Sequence, residues 1–126
     1  MNLLLDTHVL LWWLQGDSRL KTGAFDLISD EGNDILVSAA SLWEIEIKRA
    51  KGRLIAPSGL EKCVRDQRFT ELSITFGHAV AAGRLPPHHH DPFDRALIAQ
   101  AQLESLTLVS DSSWAWAISA RSNGSW

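Results

Sequence analysis

The feature that most constrains the fold is the alternation of short apolar runs with longer segments of helical spacing. Asn2-Leu3-Leu4-Leu5 and Asp34-Ile35-Leu36-Val37-Ser38 are continuously apolar at their centres, as in strands of a parallel sheet covered on both faces. Leu106-Thr107-Leu108-Val109-Ser110 and Glu71-Leu72-Ser73-Ile74 read as further strands. Between them, helices are expected over Thr7 to Gln15 (ended by Gly16), Arg19 to Ser29, Ala39 to Arg53, Ser58 to Arg68, Phe76 to Leu85 and Phe93 to Glu104. The third of these carries an apolar stripe at Ala40, Trp43, Ile47, Ala50 and Leu54. Strands alternating with helices at such intervals build α/β units around a parallel sheet. After Asp111, Ser113 to Ala120 has a helical pattern and the last residues are polar.

The 126 residues suit one domain, 1–126, large enough for a real core. With 45% hydrophobic and 21% charged residues, the composition is that of a globular chain. Cys63 is the only cysteine, so no internal disulfide can form, and a cytoplasmic setting is expected. On its helix Cys63 reads as a small core residue. The N-terminus lacks the basic region of a signal peptide, and Val9 to Leu14 is too short to span a bilayer. The net charge of −3 argues mildly against a nucleic-acid binder. Bound cations would reverse the local sign of an acidic site, however, and Lys48 to Arg53 is locally basic.

The positions of the acids are more informative. Asp6 closes the first strand and Asp111 follows the last. Glu44 lies early in the helix after the second strand, and Asp94 in the first turn of the helix near Pro92. Strands of a parallel sheet end on one shared edge, outside which ligands bind, so these acids could converge. Each also has a local explanation. Asp6, Asp91 and Asp111 precede helices and suit N-caps, and Asp91-Pro92-Phe93-Asp94 has the order of a capped start. Glu44 can pair with Lys48 one turn on, and periodicity does not choose between Glu44 and Glu46 as the inward acid. Asp94 falls within the apolar arc of its helix, where an acid needs a partner. Carboxylates clustered without opposing lysines repel one another, and hard divalent cations such as Mg²⁺ or Mn²⁺ relieve that repulsion. Such a site activates water and stabilises the leaving oxygen of a phosphodiester.

Four ordered segments resemble the motifs of VapC-type PIN domains. They are Leu4 to Trp12, Ser38 to Ile45, His89 to Arg95 with Leu97 to Ala101, and Leu106 to Asp111. The resemblance implies a PIN-like α/β/α sandwich with a central, mainly parallel sheet. It also implies a Mg²⁺- or Mn²⁺-dependent endoribonuclease, the toxin of a VapBC-type toxin–antitoxin pair, acting on structured RNA such as tRNA or rRNA. By position, Asp6, Glu44, Asp94 and Asp111 form the catalytic acidic quartet. Asp6, Asp94 and Asp111 would hold metal, Glu44 would position water or move a proton, and Thr7 would support the site. Arg95, Lys48 and Lys51 are candidates for contact with RNA or a partner. A VapB-like antitoxin and a homodimer are the implied protein partners. The spacing departs from the family pattern at Ser110-Asp111, where the usual intervening residue is missing, and the polar end is a poor version of the family's closing strand. A PIN domain that only binds RNA or protein is the alternative. An acidic-site phosphatase fits less well, because position 8 is His and no well-placed lysine is evident.

Other residues invite simpler readings. His88-His89-His90 is expected to be a solvated loop, and His8 a surface or packing residue. Adjacent Trp12 and Trp13 cannot both face one core. One of them is therefore expected to be exposed or at an antitoxin or dimer contact, with core packing the alternative.

Overall fold

In the computed structural model, residues 1–87 and 90–110 are described. The chain runs β1 (Asn2–Leu5), α1 (Thr7–Gln15), α2 (Thr22–Ser29), β2 (Asp34–Ser38), α3 (Ala39–Ala50), α4 (Leu60–Asp66), β3 (Thr70–Leu72), α5 (Phe76–Gly83), α6 (Pro92–Leu103) and β4 (Thr107–Val109). Every expected strand and helix within these residues is present. The expected tail helix and the polar end lie outside the described residues.

The sheet order is β3-β2-β1-β4, with every pairing parallel. Side chains alternate across β1. Leu3 and Leu5 join Val9, Leu10, Ile28, Ile35, Val37, Ile45, Leu60 and Val64 on the face covered by α1 to α4. Leu4 joins Leu97, Ile98, Ala101, Leu106 and Leu108 on the face covered by α6. Both faces are therefore dry, which explains why β1 is apolar without a break. The chain winds from β1 through β2 to β3 on one side, then returns to place β4 on the other side of β1. The crevice between β1 and β4 is thus the topological switch point, where ligands of open α/β sheets bind.

The element ends differ from expectation for local reasons. Residues 17–20 make a turn in which Asp17 takes hydrogen bonds from the Arg19 backbone and guanidinium, so α2 begins only at Thr22. Gly59, at φ 64°, is the entry to α4, in a left-handed conformation that suits glycine. β3 begins and ends earlier than expected because its partner β2 ends at Ser38, opposite Leu72.

The stripe expected on α3 is out of phase. Its buried residues are Ala40, Ser41, Glu44 and Ile45, while Trp43 is 59% exposed. The helix is turned so that Glu44, at 3% exposure, points inward. Of the two readings open for the tryptophans of α1, packing describes both within this chain. Trp12 is 9% exposed and lies between His8 and the Arg19 guanidinium, which sits 5.3 Å from its ring centroid. Trp13 packs against Phe25 and Phe69, and its Nε1 donates to Gln67 Oε1 at 2.9 Å. Cys63 is partly buried on α4, and His90 is exposed.

Arg95 was expected to face RNA or a partner. Its guanidinium instead donates to the backbone oxygens of Ala82, Gly83, Leu85 and Pro86 at 2.8–3.2 Å. Some of these are the orphan carbonyls at the end of α5, where a cation is also favoured by the helix dipole. Arg95 thereby ties the α5–α6 connection to α6. Arg95→Met should cost about 1.5–3 kcal/mol, the range for charge-assisted hydrogen bonds. Tryptic cleavage after Arg84 should also accelerate. Urea midpoints and a digestion time course measure both, and unchanged values would mean that the clamp adds nothing in solution.

Candidate active site

Asp6 is the residue at which β1 passes into α1. Its backbone N–H donates to Val109 O at 2.9 Å, prolonging the β1–β4 ladder to the end of the sheet. The carboxylate occupies the N-cap position of α1 but makes no capping hydrogen bond, so the capping explanation does not account for it. It is 3% exposed, and its Oδ2 accepts from Ser110 Oγ at 2.5 Å, just beyond β4. Asp6 therefore lies at the switch point.

Glu44 arrives from the neighbouring connection. Ser38 caps α3 by accepting from Ala40 N at 3.0 Å, which fixes the angle at which α3 leaves β2. Two turns in, Glu44 Oε1 accepts from Thr7 Oγ1 at 2.7 Å, and Thr7 Oγ1 lies 3.2 Å from Ser41 Oγ. Its Oε2 meets Lys48 Nζ at 2.5 Å. The buried charge is thus both hydrogen-bonded and paired, as burial requires. Glu44 is the inward acid, and Glu46 is exposed in an ion pair with Arg49.

Asp94 comes from the opposite layer. Asp91 caps α6 through Phe93 N at 2.8 Å and Asp94 N at 3.1 Å, and Pro92 occupies the first turn. The local explanation therefore holds for Asp91. Asp94, half-buried, is left facing the site. Its pKa is pushed up to about 7, chiefly by burial and then by the charges of Asp91, Asp6 and Glu44; Lys48 partly offsets this. Lys48 in turn is held above its usual pKa, mainly by its hydrogen bond to Glu44.

The structure thus brings Asp6, Thr7, Glu44 and Asp94 together, and adds Ser41, Lys48 and Ser110 as their partners. Asp111, the fourth expected acid, lies outside the described residues. Lys51 is exposed in the turn after α3, away from these hydrogen bonds. Ser41 was not singled out from the sequence, although a hydroxyl one turn before an inward acid is a usable signal.

The donor set is made of hard carboxylate oxygens, and a divalent cation would offset both the burial and the repulsion that raise the pKa of Asp94. Among the described residues, no three His, Cys, Asp or Glu side chains form a ready chelate. Asp6 and Asp94 fit such an ion as hard donors brought in from the two layers.

A doubly wound α/β domain with an acidic site at its switch point is the class of protein defined by this fold and site. The chain belongs to the PIN domain family, whose model matches residues 3–112. PIN domains are generally nucleases, and those nucleases generally use divalent metals. A chain in the crystal structure of VapBC2 from Rickettsia felis bound to a DNA fragment from their promoter has the same fold. The TM-score is 0.62 over 94% of this chain and 93% of that one, at 16% identity. No curated protein matches the chain. No helix among the described residues is long and apolar enough to cross a membrane.

Proposed function

We propose that the protein is a Mg²⁺- or Mn²⁺-dependent endoribonuclease, the VapC-like toxin of a VapBC-type pair. The observation that carries this reading is the meeting of Asp6, Glu44 and Asp94 at the switch point of a PIN domain, with the pKa of Asp94 raised by burial and then by its acidic neighbours. Asp6 and Asp94 would hold the ion, with Asp111 a further ligand by the motif. When bound, the ion would supply a water of lowered pKa and shield the leaving oxygen of the phosphodiester.

The remaining tasks fall to the chain itself. Ser110 fixes the Asp6 carboxylate through Oδ2. Thr7, with Ser41 beside its hydroxyl, fixes Glu44, whose carboxylate then orients water or accepts its proton as the P–O bond breaks. Lys48, a third exposed, can turn its ammonium towards the scissile phosphate. Lys51, exposed at the end of α3, would add positive charge for a longer substrate. The substrate would be structured RNA. The solved VapBC2 complex supports a VapB-like antitoxin as partner, and a homodimer is proposed by the family resemblance.

The test is to express the chain in bacteria and map new RNA ends soon after induction, beside Asp94→Asn. Discrete ends confined to the wild type are expected, and they would identify the target. Identical ends in both would remove the nuclease reading and leave a PIN domain that acts by binding.

A further inference from the structure

Trp43 is out of place for a core residue. Of Trp12, Trp13 and Trp43, it alone is exposed, at 59% of its surface. It is nevertheless held in a fixed setting. Its ring meets Phe93 edge-to-face, with centroids 5.3 Å apart and planes at 90°. Trp43 immediately precedes Glu44 on α3, and Phe93 immediately precedes Asp94 on α6. The aromatic pair therefore bridges α3 and α6 one residue before the acid that each helix contributes, at the exposed margin of the site.

We infer that Trp43, braced by Phe93, is a stacking platform for an unpaired nucleobase adjoining the phosphate at the acidic site. This deepens the nuclease reading and rests on it. Every base offers a π-face, so a platform accepts unpaired nucleotides with little regard to sequence and rejects bases kept within a duplex. The charge distribution agrees. Trp43 also edges a groove of about 790 Å³ between α3 and α4, whose lining includes Glu46, Glu61 and Glu71 with Arg49 and Arg65. Both arginines are paired with acids, Arg49 with Glu46 and Arg65 with Glu61. That groove does not attract a phosphodiester strand. The strand's charge would be met by a cation held at the acidic site and by Lys48, and the neutral base is the part that reaches Trp43. A peptide side chain on the indole is the competing occupant.

The proposal is tested by binding, separately from cleavage. The probes are an unpaired RNA of about ten nucleotides, its duplex, and a strand of the same length with abasic sugars. Affinities are measured by anisotropy of labelled strands with Ca²⁺ replacing Mg²⁺, and each strand is checked for integrity afterwards. Trp43→Ala should weaken binding of the unpaired RNA by about 5- to 150-fold, the span for loss of one base–aromatic stack, whereas Trp43→Phe should retain most of it. Neither substitution should alter binding of the abasic strand, or the affinity for Mn²⁺ followed by its paramagnetic resonance. As the side chain is exposed, both variants should fold, which circular dichroism checks.

Equal binding of the unpaired RNA by wild type and Trp43→Ala would overturn the platform. So would an equal loss on the abasic strand, or a wild type that binds none of the probes. Loss of an antitoxin peptide with RNA binding unchanged would assign the indole to protein instead. A wild type that shows the stacking pattern yet cuts no RNA in Mg²⁺ would remove the nuclease reading and leave the platform standing.

Discussion

Asp94→Asn should make the metal-free protein more stable than wild type at about pH 8, while abolishing cleavage. In the folded chain Asp94 has its pKa raised to about 7, against an ordinary value of 3.8. Between those values the folded state holds a proton that the unfolded state has released. The wild type therefore loses stability as pH rises through about 7. Asparagine carries no charge to desolvate and escapes that loss. Because Asp94 is only half-buried, solvent screening cuts the full linkage value to a gain of about 1–2 kcal/mol. The gain should shrink as pH falls and vanish below about pH 4, where aspartate is protonated in both states. Saturating Mg²⁺ should reverse the ranking, since an ion bound only by the folded wild type adds about 2.7 kcal/mol at a hundred times its Kd. Cleavage should fall by roughly a thousandfold or more, beyond the 10–100-fold typical of residues that merely support a metal ligand. Urea unfolding at several pH values, with and without Mg²⁺, reads all of this. If the two proteins keep equal stability from acid to alkaline pH, Asp94 is not held in a strained, acid-crowded site.

Local signals located the elements well and the side-chain partners poorly. β2 was legible to its ends because Asp34 to Ser38 is apolar at its centre and Ser38 opens the next helix. The Asp91 cap was legible because all of its partners lie within three residues. By contrast, the phase of α3 depends on Glu44 finding Thr7, 37 residues earlier in the chain. A helical wheel weighs apolar area and has no knowledge of that hydroxyl, so it turned Trp43 inward. Asp6 was ambiguous for the same reason, as its side-chain partner Ser110 is 104 residues away. The role of Arg95 was not legible because a charged side chain off the apolar arc reads as solvent-facing, while the carbonyls it holds belong to the end of α5 and the connection after it. The rules of local consistency fail where the acids gather, as expected of a site that places chemistry above packing.

Lys48→Met should destabilise the protein substantially, and Glu44→Gln in the same chain should restore most of the loss. Glu44 is 3% exposed, and Lys48 Nζ is the cation on its Oε2. Removing the ammonium leaves a buried carboxylate supported by the Thr7 hydroxyl, with no paired charge. Breaking a fully buried pair costs 3–5 kcal/mol; with Lys48 partly in solvent, about 2–3 kcal/mol is expected. Glutamine still accepts from Thr7 and needs no counter-charge, so the double variant should lie within about 1 kcal/mol of wild type. The pair also reaches Asp94, because Lys48 is the charge that lowers its pKa against the three acids that raise it. In Lys48→Met, Asp94 should therefore release its proton at higher pH, and the pH at which Mn²⁺ binds should move upward with it. A four-member urea cycle gives the coupling energy, and Mn²⁺ titrations across pH give the second effect. If Lys48→Met loses no stability, the ion pair contributes nothing to the fold. If the Mn²⁺ profile also stays in place, Lys48 does not act on the acidic site through its charge.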